Sequence, residues 1–359
     1  MANVAVNFCA GAWRAVLVVG AAITVLLSSV PAVGHAEQPR SESASCEATS
    51  WPVPLGAMGG TLCQPSRSTG AIVILLSGAA TSSRYWDWPV QPQTYSFRRA
   101  LNAAGYATLA LDLLGTGTST RPPSMAVTST LQAQGVHEIV TALRNGSAGH
   151  PEFRTVIVGG VSLGAGVAAM AASTYHDVDG VLLQGFSHSV NPLETLRAVA
   201  TFVPAFTDPR FFDLGLDPGY LTTRPGTRAA SFVGPDTDPV VLGVDDAEVA
   251  DTFSPVEMGD GLTSTIPPLT SNIDVPVLIV NGELDLLCAR AVCASNSSLT
   301  EAERPYFAPA ARLRTLVVPK AGHAVTVAPN ATRFQNCTAA WIDWATTAPV
   351  DGGSLAACA

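Results

Sequence analysis

"TVIVGGVSLGAGVAAM", residues 155–170, decides how the rest of this chain is read. Apolar, mostly β-branched residues run into Gly159 and Gly160. Ser162 comes one residue later, Gly164 two after that, and an alanine-rich run follows. A continuous apolar run closed by glycine reads as a buried strand, and the alanine-rich run as a helix. Ser162 then stands on a sharp strand-to-helix turn with the pattern G-x-S-x-G. A residue on such a turn takes up a strained backbone, and side chains beside it would collide, which accounts for the glycines. The turn lifts Oγ clear of the sheet. It also sets it at a helix N-terminus, where N–H groups stabilise negative charge. The pattern therefore predicts Ser162 as a nucleophile.

A serine hydroxyl needs a base, and the base needs an acid to hold it. His137, His150 and His176 lie in or beside helical stretches. His188, in "LLQGFSH", and His323, in "VVPKAGH", both follow apolar strands. Strand carboxyl ends share one crevice in an open parallel sheet. His323, after the last strand, is the expected base and His188 its rival. "VPVLIVNGELD" places Glu283 and Asp285 at another strand end, ahead of His323. Asp285 is the expected acid because it stands far enough past Gly282 to turn towards the site. Asp112, in "DLLGTGTS", precedes the serine and is expected to order its own turn.

Outward from the serine, buried strands are read at 71–78, 106–115, 155–160, 179–186, 275–282 and 313–319. Helices fall between several of them, at 96–105, 129–146 and 164–176. Strand and helix alternating in order predict an α/β fold, a mostly parallel central sheet with helices on both faces. Residues 37–50 are polar and read as loose. The alternation stops over 187–272, which is taken as a lid inserted over one edge of the sheet. The core is thus read in two parts, 37–186 and 273–359. Leu196, Val199 and Val203 recur at helical spacing in the lid, with Phe202, Phe206, Phe211, Phe212, Tyr220 and Phe232 around them. Tyr85 and Trp86, with Trp88, follow the first strand. Tyr85, Trp86, Phe202 and Phe206 are the expected substrate-binding side chains, in a cleft suited to apolar groups.

Residues 1–36 read as a signal peptide: Arg14, an apolar run to Leu27, then Pro31, Gly34 and Ala36, with cleavage expected after Ala36. The run falls short of the roughly 20 residues that span a bilayer, so no stable membrane anchor is expected after cleavage. A secreted or cell-envelope protein follows. Cys9 leaves with the leader, and Cys46, Cys63, Cys288, Cys293, Cys337 and Cys358 remain. An even number in an exported chain points to disulfides, and neighbour pairing is the simplest of several connectivities. No CxxC or HxxxH spacing calls for a metal. The formal net charge of −9 argues against nucleic acid as a partner.

Four stretches together resemble the α/β-hydrolases: "LLSGAATSSRYW", "DLLGTGTS", "GVSLG", and "NGELD" with "AGHAV". The similarity runs over about residues 60–345 outside the insertion, in the order serine, acid, histidine. It is nearest in kind to exported bacterial serine esterase-like members. The resemblance implies an α/β-hydrolase fold, Ser162 as nucleophile, His323 as base and Asp285 as acid. It also implies an oxyanion hole from the backbone N–H groups of Ala79 and Leu163. Many members carry His-Gly at the oxyanion loop and Gly-His-Ser at the elbow, where this chain has Ser77-Gly78 and Gly160-Val161-Ser162. Neither change removes a backbone donor. A small-molecule carboxylic ester is the expected substrate, cleaved through an acyl-enzyme with no cofactor and no metal. A lactonase, thioesterase or acyltransferase shares the same motifs, and a non-catalytic binding protein would be expected to lose one of the three residues.

Overall fold

The computed structural model describes residues 44–146, 149–347 and 358. The expected leader, 1–36, lies outside the described residues. An eight-stranded sheet runs in the order β1-β2-β4-β3-β5-β6-β9-β10. Its strands are β1 (Ser45–Val53), β2 (Gly56–Gln64), β3 (Ala71–Leu76), β4 (Ala107–Leu111), β5 (Thr155–Val161), β6 (Gly180–Gln184), β9 (Val277–Gly282) and β10 (Arg314–Val318). From β4 through β10 every pairing is parallel, and β2 pairs antiparallel with both β1 and β4. The short hairpin of β7 (Phe202–Pro204) and β8 (Leu221–Thr223) stands apart.

The helices that matter to the site are, in chain order, α1 (Phe97–Ala103), α2 (Ser129–Arg144), α3 (Leu163–Tyr175), α4 (Pro192–Val199), α5 (Arg228–Phe232), α6 (Pro255–Gly261), α7 (Asn296–Glu303) and α8 (Ala331–Thr347). The strand period of two splits the apolar residues between two cores. Ile72, Ile74 and Leu76 of β3 pack with α2 and α3, while Ala71, Val73 and Leu75 pack with α1 and α8. The central strands are buried on both faces, which is why they read as unbroken apolar runs.

Two expectations are corrected. Of the segment 37–50 read as loose, 37–43 lies outside the described residues and 45–50 belongs to the edge strand β1. Most of β1 is exposed, so it carries little apolar signal, and long-range pairing with β2 forms it. The helical spacing of Leu196, Val199 and Val203 does not persist, because α4 stops at Val199 and Val203 joins β7. Thr201, Phe202 and Val203 favour extended backbone, and Pro204 removes a helical donor.

The six cysteines among the described residues pair as sequence neighbours: Cys46–Cys63, Cys288–Cys293 and Cys337–Cys358. Cys46 and Cys63 face each other directly across the β1–β2 ladder. Among the described residues no helix is long and apolar enough to cross a membrane.

The segment between β6 and β9 crosses the strand carboxyl ends. Its Val249 carbonyl accepts from Ser82 N at 2.8 Å, Asp251 N donates to Ala80 O at 3.1 Å, and its Phe232 carbonyl accepts from Ala324 N at 2.7 Å. It thereby meets the loops that follow both β3 and β10.

Candidate active site

Ser162 is the N-cap of α3, with φ 56° and ψ −119°. A left-handed φ on a non-glycine residue is strained, and its surroundings must hold it. Ser162 N donates to Gln184 O at 2.8 Å, and Gly166 N donates to Ser162 O at 3.1 Å. The side chain makes no capping hydrogen bond, so Oγ is not spent on the helix end. The flanking glycines are required by close approach. A Cβ on Gly160 would lie 2.2 Å from the Gly164 carbonyl, and one on Gly164 would lie 2.4 Å from Ser77 O.

The loops after β9 and β10 bring Asp285 and His323, the expected acid and base, together. Leu284 N donates to Ala321 O at 2.8 Å, and a Cβ on Gly282 would lie 2.1 Å from Gly322 O. Backbone meets backbone there, and the two side chains meet above. His323 Nδ1 and Asp285 Oδ2 are 2.8 Å apart, and both residues are buried. The other oxygen, Asp285 Oδ1, accepts from Leu287 N at 2.9 Å. With Nδ1 donating to the carboxylate, Nε2 is the imidazole's free acceptor, and among the described residues it has no hydrogen-bond partner. The ring packs so tightly on Gly185 that a Cβ there would lie 2.6 Å from Cε1.

Ser162, His323 and Asp285 line one cavity of about 190 Å³. Ala79, after β3, and Leu163, the first residue of α3, line it beside the serine. The first N–H groups of a helix have no intrahelical acceptor, which leaves Leu163 N–H available to a ligand. The remaining wall is chiefly apolar, with Phe186, Val199, Phe202, Phe232, Met258 and Leu287. Among the described residues no lysine, arginine or glutamate lines it, and Asp285 and His323 are the titratable side chains that do.

The rivals fall elsewhere. Glu283 uses Oε2 to accept from Lys320 N at 2.9 Å. His188 is buried with Glu303, Nδ1 to Oε2 at 2.6 Å, and its Nε2 lies 3.0 Å from Thr270 Oγ1. Its ring stacks on Tyr306 at 3.9 Å. Asp112 accepts from Ser83 N at 2.7 Å and Thr118 N at 2.9 Å, which orders its turn.

Of the expected substrate-binding residues, Phe202 lines the cavity. Trp86 does not: it is fully buried, 5.3 Å from the Phe97 ring, in the core on the α1 side of the sheet. Phe206 lies 48% exposed and outside the cavity wall. Tyr85 is buried and lines a small adjoining space of about 30 Å³ that Ser162, Ala79, His323 and Arg228 also line. Burial pushes its hydroxyl pKa up to about 12. Gln184 Nε2 donates to Tyr85 Oη and, at 3.3 Å, to the His323 carbonyl, so Tyr85 supports the histidine loop from below. The sequence reading missed Gly185, Met258 and Arg228, and no motif marks any of them.

The described geometry agrees with what comparison finds. The model of the alpha/beta hydrolase family matches residues 73–333. No curated protein matches the sequence. A thermophilic esterase from Thermogutta terrifontis is 17% identical with a TM-score of 0.55, covering 84% of this chain and 100% of its own. A soluble variant of monoglyceride lipase from Saccharomyces cerevisiae is 15% identical at TM-score 0.62, covering 86% and 98%. The enol-lactonase from Burkholderia xenovorans LB400 is 16% identical at TM-score 0.56, covering 82% and 99%. At these identities the structural likeness speaks for the fold. The family match spans most of the chain, with Ser162, Asp285 and His323 inside it, and on that ground the protein belongs to the alpha/beta hydrolase family.

Proposed function

We propose that this protein is an exported serine hydrolase that cleaves a neutral carboxylic ester through an acyl-enzyme. One observation carries the reading: Ser162, uncommitted on its strained turn, shares a cavity with a histidine whose Nδ1 is bound by Asp285 and whose Nε2 is unpartnered. His323 Nε2 takes the Ser162 proton as Oγ attacks the substrate carbonyl. Asp285 holds the ring and stabilises the imidazolium. The Ala79 and Leu163 N–H groups receive the oxyanion, and each such donor is worth roughly 100- to 1000-fold in rate. The alcohol leaves with the proton from His323. Water, deprotonated by the same nitrogen, then releases the acid.

The names of the structural relatives include an esterase, a lipase and a lactonase, and ester-bond hydrolysis is common to all three. The apolar wall with no lining cation favours a neutral substrate over an anionic one. Three disulfides support export, with the leader removed after Ala36. The test is Ser162→Ala. Loss of p-nitrophenyl ester hydrolysis and of fluorophosphonate labelling, with Tm nearly unchanged, is the expected result. Residual turnover near that of the wild type removes Ser162 from the mechanism.

A further inference from the structure

The loop after β3 carries a second strained residue. Ala80 has φ 54°, directly after Ala79, whose N–H is assigned to the oxyanion. Such a φ on alanine is strained and persists only where neighbours hold it. The chain that holds it belongs to the insertion. Arg228 Nη1 donates to Ala80 O at 2.8 Å and Nη2 to Thr81 Oγ1 at 3.2 Å. Asp245 fixes the guanidinium from behind, Oδ2 accepting from Nε at 2.8 Å and Oδ1 from Nη2 at 2.9 Å. Arg228 is 4% exposed and Asp245 6%.

Arg228 opens α5, and Phe232 closes the same short helix. The Phe232 carbonyl accepts from Ala324 N at 2.7 Å, beside His323. One five-residue helix therefore ties the loop bearing the oxyanion donor to the loop bearing the base. Arg228 lines the small space that Ser162 and Ala79 share, but the buried Asp245 carboxylate pairs with its guanidinium and offsets its charge towards the oxyanion. Its effect must pass through geometry. A buried pair of this kind is weak support for stability, since desolvation offsets most of its attraction. Its fork geometry suits the placing of a loop.

We propose that Arg228 is a positioning residue for the oxyanion hole: held by Asp245, it fixes the strained Ala80 carbonyl and so aims the Ala79 N–H at the developing oxyanion. The inference rests on the serine-hydrolase reading above. It makes the insertion part of the catalytic geometry and not only a roof.

The test compares wild type, Arg228→Lys, the double variant Arg228→Met with Asp245→Leu, and Arg84→Ala. Arg84 makes an exposed tie between the same two regions, to Glu248 at 2.6 Å, and an exposed pair contributes little. The measurements are kcat and KM on a p-nitrophenyl ester, the rate of fluorophosphonate labelling, and Tm. Arg228→Lys keeps the charge but not the fork, and should lower kcat and labelling rate by roughly 10- to 100-fold, the scale of a misplaced group. KM should stay within about twofold, since binding of the ground state is untouched. The double variant, which leaves no unpaired charge, should show the same loss with Tm preserved. It carries the test should Arg228→Lys fail to fold. Arg84→Ala should match wild type. Wild-type kcat in the folded double variant overturns the proposal, as does a loss that simply tracks Tm or that Arg84→Ala reproduces. A wild type that neither turns over nor labels overturns the serine-hydrolase reading and this inference together.

Discussion

Asp285 and Glu283 stand two residues apart, and only one reaches the histidine. Glu283 turns back to the Lys320 backbone, whereas Asp285 meets His323 Nδ1 in a buried site. Asp285→Asn should cut kcat by roughly 10³- to 10⁴-fold, because an amide no longer fixes the tautomer that leaves Nε2 free. Glu283→Gln should keep kcat near wild type. Kinetics of the two purified variants decide the matter, and a reversed outcome would move the acid to Glu283. That Ser162, Asp285 and His323 come together was legible because each stands where an apolar strand ends, and strand ends are readable. The aromatics were not. Trp86 and Phe202 are both large apolar residues outside the strands, but one is closed into the core and the other lines the cavity. Nothing local separates them. Arg228 was invisible for a similar reason: its partners are a carbonyl and a carboxylate brought in from residues 80 and 245.

Helix α6 shows what a short element needs in order to stand against the cavity, where Met258 and Gly261 contribute to the wall. Pro255 starts it, and Ser254 and Glu257 form a reciprocal capping box. Glu257 Oε1 accepts from Ser254 N at 2.8 Å, and Oε2 from Gln132 Nε2 at 2.7 Å. Both are neutral donors, too few to offset full burial, which pushes the carboxyl up to about 7. The folded state then binds a proton that the unfolded chain has released between its ordinary value of 4.5 and about pH 7. Stability contributed by this group should fall as pH rises through that window. Glu257→Gln stays neutral throughout. Relative to wild type it should gain stability between pH 5 and pH 8, as read from denaturation midpoints. A gap that moves the other way would mean that the folded protein favours the carboxylate. Elements of this size lie below what periodicity resolves. The long core strands and α2 were readable within a few residues. The β1–β2 hairpin was missed whole, because β1 has only Trp51 and Val53 buried and β2 carries Gly56, Gly59 and Gly60 in place of an apolar run.

The charge of the whole chain and the wall of the cavity point to the same class of substrate. The net charge is −9, no cation among the described residues lines the cavity of about 190 Å³, and the Arg228 guanidinium at the small adjoining space is already paired with Asp245. An anionic ester approaches against the field and finds no partner inside, so it is disfavoured in both encounter and binding. A neutral apolar group is instead received by Phe186, Val199, Phe202, Phe232 and Met258, contributed by both the core and the insertion. Each methylene newly buried there should add up to about 0.8 kcal/mol, or roughly fourfold in kcat/KM. The gain must stop when the cavity of about 190 Å³ is full. Across p-nitrophenyl esters from acetate to decanoate, kcat/KM should therefore climb, pass a maximum and decline. Against a neutral ester of equal length, a half-ester ending in carboxylate should be slower by at least tenfold, and added salt should narrow only the part of that gap that arises in encounter. A series that is flat or falls from acetate onward would show that the aromatic wall packs the insertion without receiving the acyl chain. Comparable rates for the charged half-ester would place the substrate outside the apolar cavity altogether.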